Sequence, residues 1–515
     1  MTEHEEPLPQ AAQKRERHTL MAAALTNGPN ELVDFLLPLW AGASLNLSGA
    51  AVGLLMAIEM VVSVAVRPLA GVLADRRERR NVAALGALLY AVSLFGYSVA
   101  DGAAVAYPAA TVGGAGGALL WVSVRAIVSE RLAEDSAVFP RLFSHQETGS
   151  WVAFIAGMTL INVIDFAGVF QAGAAACVVA AGLLLTSPRR RPALTSADGG
   201  VAFGGLGVVG RRLRPMLLAV VLTMAAEAAI ALLLLLHLQR ELGLEVVQIG
   251  LVFLPGAIVM SAAAPYLHRY VVRYGRSRVL VFAALCSAVF AVGLAWAPNA
   301  FVIAALWILS GLSWAAVMPI QQAVVAEASG DSVGRGMGVY ESGSLVGGLI
   351  GVLVAGSVYD RASWAIACLV AAVTLLAGAV VMPRAVRRLG VAEHPPSPPA
   401  DPAPPSSEPD PPTQPPSPEP TKPSPSPRTQ LLSLAGGFGV YAAVQVLLAF
   451  ADLAWLLHLF TDDPLQVLNS TNRDFGRVAG FVYNATKVWA AILIIEAVWT
   501  CGRMLVARSR RRVAP

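Results

Sequence analysis

The segment that decides the fold is Gly71-Val-Leu-Ala-Asp75-Arg76-Arg77-Glu78-Arg79-Arg80. Its last six residues comprise two acids and four arginines, and they separate two apolar runs at 49–70 and 82–101. An apolar run of about 20 residues is long enough for a helix to cross a bilayer. A short basic connection between two such runs indicates a loop that stays on one face of a membrane.

Apolar runs of spanning length recur on both sides of this segment. Charged residues make up only 14% of the 515 residues, whereas a soluble domain carries about 25%. The sequence therefore predicts an all-α membrane protein, with a twelve-helix bundle in two halves of six. The predicted spans are 20–43, 49–70, 82–101, 104–127, 146–165 and 167–187, then 215–238, 247–267, 279–297, 300–326, 337–358 and 363–383.

The basic residues of the loops favour one orientation. If the N-terminus is cytoplasmic, the opposite face of the twelve-span core receives only Arg240 and Arg361. Cytoplasmic loops of membrane proteins are enriched in Lys and Arg. We therefore predict a multi-pass protein of the plasma (inner) membrane whose N-terminus is cytoplasmic.

The chain changes in composition after the twelfth run. A Pro-rich stretch at 395–428 cannot form a helix or bury a core, and we expect an extended spacer, with recruitment of an unknown partner as the alternative. Two more apolar runs predict a transmembrane hairpin of unknown purpose that returns the C-terminus to the cytoplasm. The predicted organisation is a cytoplasmic tail (1–19), a first six-helix half (20–187), a basic loop (188–214), a second half (215–385), a disordered Pro-rich linker (386–429), the hairpin (430–507) and a basic tail (508–515).

The segment at 71–80 resembles the signature of the major facilitator superfamily, G-x-L-x-D-[RK]-x-G-R-[RK], and Pro68 precedes it as is common there. It departs from that signature at Glu78, where the family usually has Gly. A degraded copy begins at Pro265, between the eighth and ninth runs, which is the equivalent place in the second half. The resemblance covers residues 20–385 and implies a duplicated six-plus-six carrier that works by alternating access.

The resemblance also implies that this loop gates the carrier. An acid in it can bind at a helix N-terminus, and its arginines can pair with acids such as Glu130, so that the cytoplasmic side is locked when the carrier faces outward. Simple positive-inside anchoring is the alternative, but it accounts for the arginines only. The expected gating residues are Gly71, Asp75, Arg76, Arg79 and Arg80.

The first span contains a polar stripe. Asn27, Asn30, Glu31 and Asp34 are spaced i, i+3, i+4, i+7, which places them on one face of a helix. An ionisable side chain in hydrocarbon is costly and usually faces a cavity where it has a function. We predict that Asp34 loads and releases a proton, with Glu31 sharing the task. The alternative is that both acids pair with a neighbouring base and hold helices together.

Other polar residues inside the spans extend this candidate site. Glu59 lies deep in the second span, and Glu227 lies in the seventh span, the pseudo-symmetric partner of the first, so a two-carboxylate relay is one interpretation. Aromatic and cationic side chains at helical spacing are candidates for cavity lining, with core packing as the alternative. These candidates are Arg125, Trp121, Trp307 and Trp314.

The motifs that are absent from the sequence restrict the function. We find no phosphate-binding loop, no nucleophile–base pair and no metal cluster, and therefore predict no enzyme activity, no cofactor, no metal and no nucleic-acid partner. The expected partners are the lipid bilayer, a small-molecule substrate and protons. The favoured function is proton-coupled export of an amphipathic small molecule. The alternatives are proton-coupled uptake of a nutrient or organic acid, and a transport-dead scaffold or sensor that acts through its C-terminal tail.

Overall fold

The computed structural model describes residues 8–189, 205–244, 246–359 and 363–395, together with parts of the chain between 438 and 500. Within these residues the regular elements are α-helices and two short 3-10 turns. The helices are α1 (Leu8–Ala43), α2 (Gly49–Arg76), α3 (Arg79–Val99), α4 (Ala103–Val128), α5 (Val138–Thr186), α6 (Leu206–Arg240), α7 (Val246–Tyr274), α8 (Arg276–Leu294), α9 (Ala300–Ser329), α10 (Val333–Tyr359), α11 (Trp364–Arg388) and α12 (Trp455–Thr461).

Three differences between the helices and the predicted spans affect the fold. The first helix begins at Leu8 rather than at residue 20, because Arg15 and Glu16 form ion pairs with other segments and anchor this region. The fifth and sixth predicted spans lie in one element, α5. Its two helical parts meet at Asp165, whose backbone is not helical (φ 57°, ψ 178°). The end of the predicted basic loop is also helical, since α6 begins at Leu206.

The outer surface of the helices is apolar. In the described part of the chain, nine helical segments are long and apolar enough to cross a membrane. Large side chains on them are exposed, such as Leu69 (62%), Phe282 (69%) and Val373 (67%). Apolar surface of this extent is rare on a water-soluble monomer. The chain is a multi-pass membrane protein. The count of twelve core spans stays a prediction, and most of the hairpin at 430–507 lies outside the described residues.

The buried apolar residues form different cores at the two ends of the bundle. At the end that contains Asp75 (the Asp75 end), one core combines both halves, as in the cluster that holds Leu120 of α4 and Met216 of α6. At the opposite end each half has a core of its own, one around Trp40 and one around Ile230. Among the described residues, the core that combines the two halves therefore lies at the Asp75 end.

Helices α2 and α10 contact each other across the two halves at the Asp75 end. A Cβ atom added to Gly71 would lie 2.4 Å from the backbone oxygen of Gly334, and one added to Gly338 would lie 2.4 Å from the backbone oxygen of Arg67. Small residues at such places let two helix backbones approach closely. The α2–α10 seam is thus a backbone-to-backbone contact that closes this end.

We expect Gly149→Ala to destabilise the bundle. A Cβ at Gly149 of α5 would lie 2.0 Å from the backbone oxygen of Ala24 in α1, and overpacking of this kind costs about 1–3 kcal/mol. Gly182→Ala in the same element is the control, because its added Cβ meets no atom within 4 Å. Thermal unfolding of the purified protein in detergent measures both. An equal shift for the two variants would show that the α1–α5 contact is not tight.

A second compact unit comprises residues 155–165 and 399–515. In its described part, Nε1 of Trp455 donates a hydrogen bond to the hydroxyl of Tyr441 at 2.7 Å. Both side chains are buried in a small core. The other buried members of this core are Val467, Tyr483, Ala490 and Leu493.

Candidate functional site

Asp75 connects the two halves at the α2–α10 seam. Its Oδ1 accepts a hydrogen bond from the backbone N–H of Gly334 (2.7 Å), and its Oδ2 accepts from the N–H (3.2 Å) and Nε (3.0 Å) of Arg335. Gly334 and Arg335 lie in the first turn of α10, where free N–H groups and the helix dipole favour an anion. The helix-terminus contact expected of the signature acid is therefore present, and it crosses from one half to the other.

The arginine at the start of α3 pairs with an acid at the end of α4. Nη1 of Arg79 donates to Oε1 of Glu130 at 3.1 Å. The second half repeats this contact, because Nη1 of Arg276 donates to Oε2 of Glu327 at 2.8 Å, and the two partners are 51 residues apart in both pairs. The expected pairing with Glu130 is present, and the degraded second copy of the signature keeps its own arginine–acid pair.

The other arginines of the loop differ in their surroundings. Arg80 donates to backbone carbonyl groups at the end of α5, whereas Arg76 is exposed. Arg15 of α1 lies 2.9 Å from Glu78 and 3.0 Å from Glu130. Glu78, the departure from the family signature, is thus the N-cap residue of α3 and part of the same ion network.

Acidic side chains of α1 and α2 lie near one another. Asp34 lies within electrostatic range of Glu59 and Glu31, and its Oδ2 accepts a hydrogen bond from Nδ2 of Asn30 at 3.3 Å. Glu31 and Asp34 are solvent-accessible although protein atoms surround them, which is the pattern of a cleft lining. No described residue forms an ion pair with Glu31, Asp34 or Glu59.

Two further acids lie in spanning helices. Glu147 of α5 is within electrostatic range of Glu31. Glu227 of α6 is within hydrogen-bonding reach of Trp314, and Trp314 lines a small pocket between α6, α8, α9 and α11 together with Thr223. The structure therefore places Glu31, Asp34 and Glu59 near one another, and Glu227 beside a predicted cavity-lining tryptophan in the second half.

Three other predicted site residues make packing contacts. Asn27 donates from Nδ2 to Oγ of Ser150 at 2.6 Å, which holds α1 against α5. Trp307 packs edge-on against Phe253, with ring centroids 4.7 Å apart. Trp121 belongs to the core shared by both halves. A role of Asn27 in the proton or substrate site, and of the two tryptophans in lining a substrate cavity, stays a prediction.

A buried ion cluster that the sequence analysis missed lies between the halves. Oε1 of Glu341 in α10 is 2.8 Å from Nε of Arg125 in α4, an ion pair without hydrogen-bond geometry. Nη1 of Arg67 in α2 contacts Oε2 of Glu341 and donates to its backbone oxygen at 3.2 Å. All three residues are at most 8% exposed. Arg67 and Arg125 therefore bind the opposite half rather than the membrane interface.

Two of the residues that were not predicted, Glu147 and Glu341, could have been found from the sequence. Glu147 and Glu341 both lie inside predicted spans, so the rule that selected Asp34, an ionisable side chain within an apolar run, also selects them. Their partners were not detectable. Arg67 and Glu341 are 274 residues apart in the chain, and only the packing of α2 on α10 brings them together.

Comparisons with known proteins agree with this architecture. The human organic anion transporter MFSD10 (TETRAN) is 18% identical, with a TM-score of 0.61, over 73% of this chain and 100% of that chain. A double-tryptophan mutant of XylE is 13% identical, with a TM-score of 0.57, over 73% of this chain and 96% of that chain. At such identities these likenesses show the fold alone. A comparison with curated protein sequences finds no match.

The sequence profile described as Major Facilitator Superfamily matches residues 19–215 and 216–515. Together these two matches cover nearly the whole chain. The contacts of Asp75 and of Arg79 involve the residues that the resemblance of the sequence indicated, and Arg276 repeats the arginine–acid pair in the second half. The chain belongs to the major facilitator superfamily of membrane transporters.

Proposed function

We propose that the chain is a secondary active transporter that exports an amphipathic small molecule across the plasma membrane by alternating access, in exchange for protons. Asp34 carries the proton, and Glu31 or Glu227 assists it. The observation that supports this proposal is the position of Asp34 in a cleft with Glu31 and Glu59, without an ion-pair partner among the described residues.

This arrangement suits proton transfer better than a purely structural role. The structural alternative requires a neighbouring base that pairs with Asp34, and the described surroundings of Asp34 provide none. Like charges that lie close together cannot all stay ionised without cost, so one of the acids tends to bind a proton. Solvent access to Asp34 provides a route for that proton.

The closed Asp75 end supports alternating access. With the predicted orientation this end is cytoplasmic, and the shared core, the α2–α10 seam and the contacts of Asp75 close it. The acids of the cleft are then reached from the other side. Such a conformation is the outward-facing state, in which an exporter takes up its proton.

We expect cells that express the protein to extrude at least one amphipathic compound. The measurement is the efflux of a panel of dyes and antibiotics from a bacterial host that lacks its own pumps, with and without a protonophore. Export in exchange for protons requires that the protonophore stops the efflux. If a compound moves and the protonophore has no effect, proton coupling is wrong. If the compound instead accumulates in the cells, uptake of a nutrient or organic acid replaces export.

A transport-dead scaffold predicts a different dependence on the C-terminal region. We expect a chain without residues 396–515 to retain efflux, because the cleft, the seam and the ion clusters lie in residues 8–395. Efflux by the full chain and by the truncated chain is compared at matched membrane expression. A phenotype that disappears with the tail while the remaining protein stays folded would favour the scaffold.

A further inference from the structure

The buried cluster of Arg67, Arg125 and Glu341 is not electrically neutral. It contains two guanidinium groups and one carboxylate, so its formal charge is +1. An Arg side chain keeps its charge in a protein, and a buried charge is costly unless it is paired. The cluster therefore has the capacity to bind one more anionic group.

The elements that contribute the cluster provide no second acid to it. Glu341 is the only acid in α10, and α4 contains none. In α2 the nearest acid, Glu59, lies about two helical turns from Arg67, and Asp75 is held by the first turn of α10. No other acid on these three helices therefore balances the positive charge of the cluster.

The surroundings of the cluster are polar and incompletely bonded. The hydroxyl of Tyr340, the residue before Glu341, lies 3.4 Å from the amide oxygen of Gln321. The side chain of Gln322 is also close to this hydroxyl. Gln322 is 1% exposed, and in the described part of the chain neither atom of its amide group makes a hydrogen bond of full geometry, although the Tyr340 hydroxyl is within reach. A buried amide without such bonds is rare in folded proteins, and it adds donor and acceptor capacity to this region.

The two signs of charge come from different halves. Arg67 and Arg125 belong to the first half, whereas Glu341 belongs to the second, and the α2–α10 seam joins them. If α2 and α10 separate at the Asp75 end, the carboxylate of Glu341 moves away with α10. Two neighbouring guanidinium groups then face the opened cleft without it. Guanidinium groups bind carboxylates through paired hydrogen bonds.

We propose that Arg67 and Arg125 form the binding site for the carboxylate of an amphipathic organic anion, and that Glu341 occupies this site when the Asp75 end is closed. The ring of Trp121, 5.8 Å from the guanidinium carbon of Arg125, provides an aromatic surface for the apolar part of the substrate. The proposal names the substrate class of the carrier and rests on the transport function proposed above. Release of the anion lets Glu341 return and the seam close.

The test is direct binding of two fluorescent probes to the purified full chain. The anionic probe is 11-(dansylamino)undecanoate, and the cationic probe is dansylcadaverine. We expect the anionic probe to bind and Arg67→Gln and Arg125→Gln each to weaken it at least about tenfold, as when one partner of a buried charge pair is removed. Glu341→Gln removes the competing carboxylate, and we expect it to tighten binding about tenfold. A misfolded variant cannot produce that gain.

Arg384→Gln is the matched control, since it removes the same charge from an exposed position of α11, and we expect unchanged affinity. Three outcomes overturn the proposal. The first is no binding of the anionic probe, and the second is binding that does not depend on Arg67 and Arg125. The third is that the cationic probe binds equally well and is weakened by the same two arginine substitutions. Binding is measured without a proton gradient. The binding result therefore tests the anion site independently of efflux. If binding depends on the two arginines but efflux continues in the presence of a protonophore, only the proposal of proton coupling is contradicted.

Discussion

Asp34→Asn is expected to reduce gradient-driven efflux by on the order of 100-fold, an effect of the size seen when a proton-transferring group is removed. Asn keeps the size and the hydrogen-bonding capacity of the side chain but cannot exchange a proton. The structure gives Asp34 no ion pair to lose among the described residues, so the variant should fold and reach the membrane normally. Efflux is measured in inverted vesicles with an imposed pH gradient.

Asp101→Asn is the control for this prediction, since Asp101 is an exposed acid between α3 and α4. We expect it to transport like the wild type. If Asp34→Asn transports equally well, Asp34 is not the proton carrier, and Glu59 and Glu147 become the next candidates because they lie in the same group of acids. Loss of efflux in both variants would point to a general effect of surface charge.

Asp75→Ala is expected to open the Asp75 end. The substitution removes three hydrogen bonds to the start of α10, and hydrogen bonds to a charged group contribute about 1.5–3 kcal/mol each. A loss of this size shifts an equilibrium between closed and open states by at least about 100-fold. Distance distributions between spin labels at positions 77 and 331, both exposed near the seam, report the opening.

The matched control for the opening is Glu134→Ala. Glu134 is an acid at the same end, but its side chain is 69% exposed and lies 3.5 Å from Arg131 of the adjacent 3-10 turn. We expect this variant to keep the closed distance distribution. If Asp75→Ala also keeps it, the shared core and the glycine contacts of the α2–α10 seam are sufficient to hold the end closed, and Asp75 has no gating role.

The sequence predicted the helical fold well because its signals are local. An apolar run identifies a spanning helix by itself, and each predicted core span overlaps a described helix, extending beyond its end by at most three residues. Boundaries were less predictable. Residues before position 20 are polar, yet they extend α1, because Arg15 and Glu16 bind groups that are distant in the chain. The break at Asp165 depends on one backbone conformation that no residue pattern indicates.

The candidate site was predictable as a set of residues but not as an arrangement. Asp34, Glu31 and Glu59 stood out as ionisable side chains in apolar runs, and the structure places them near one another. The contact of Arg67 with Glu341 of the other half, in contrast, follows from no residue pattern. Such pairs depend on how two distant helices cross, and spacing within one helix does not contain that information.

The most direct test of proton-coupled transport is the movement of protons with a substrate through the purified protein. Proteoliposomes enclose a pH-sensitive dye, and a compound identified in the efflux panel is added under an imposed substrate gradient. We expect proton movement opposite to the substrate in wild-type vesicles and none with Asp34→Asn. Substrate movement without any pH change, or an equal pH change with Asp34→Asn, would contradict proton coupling through Asp34.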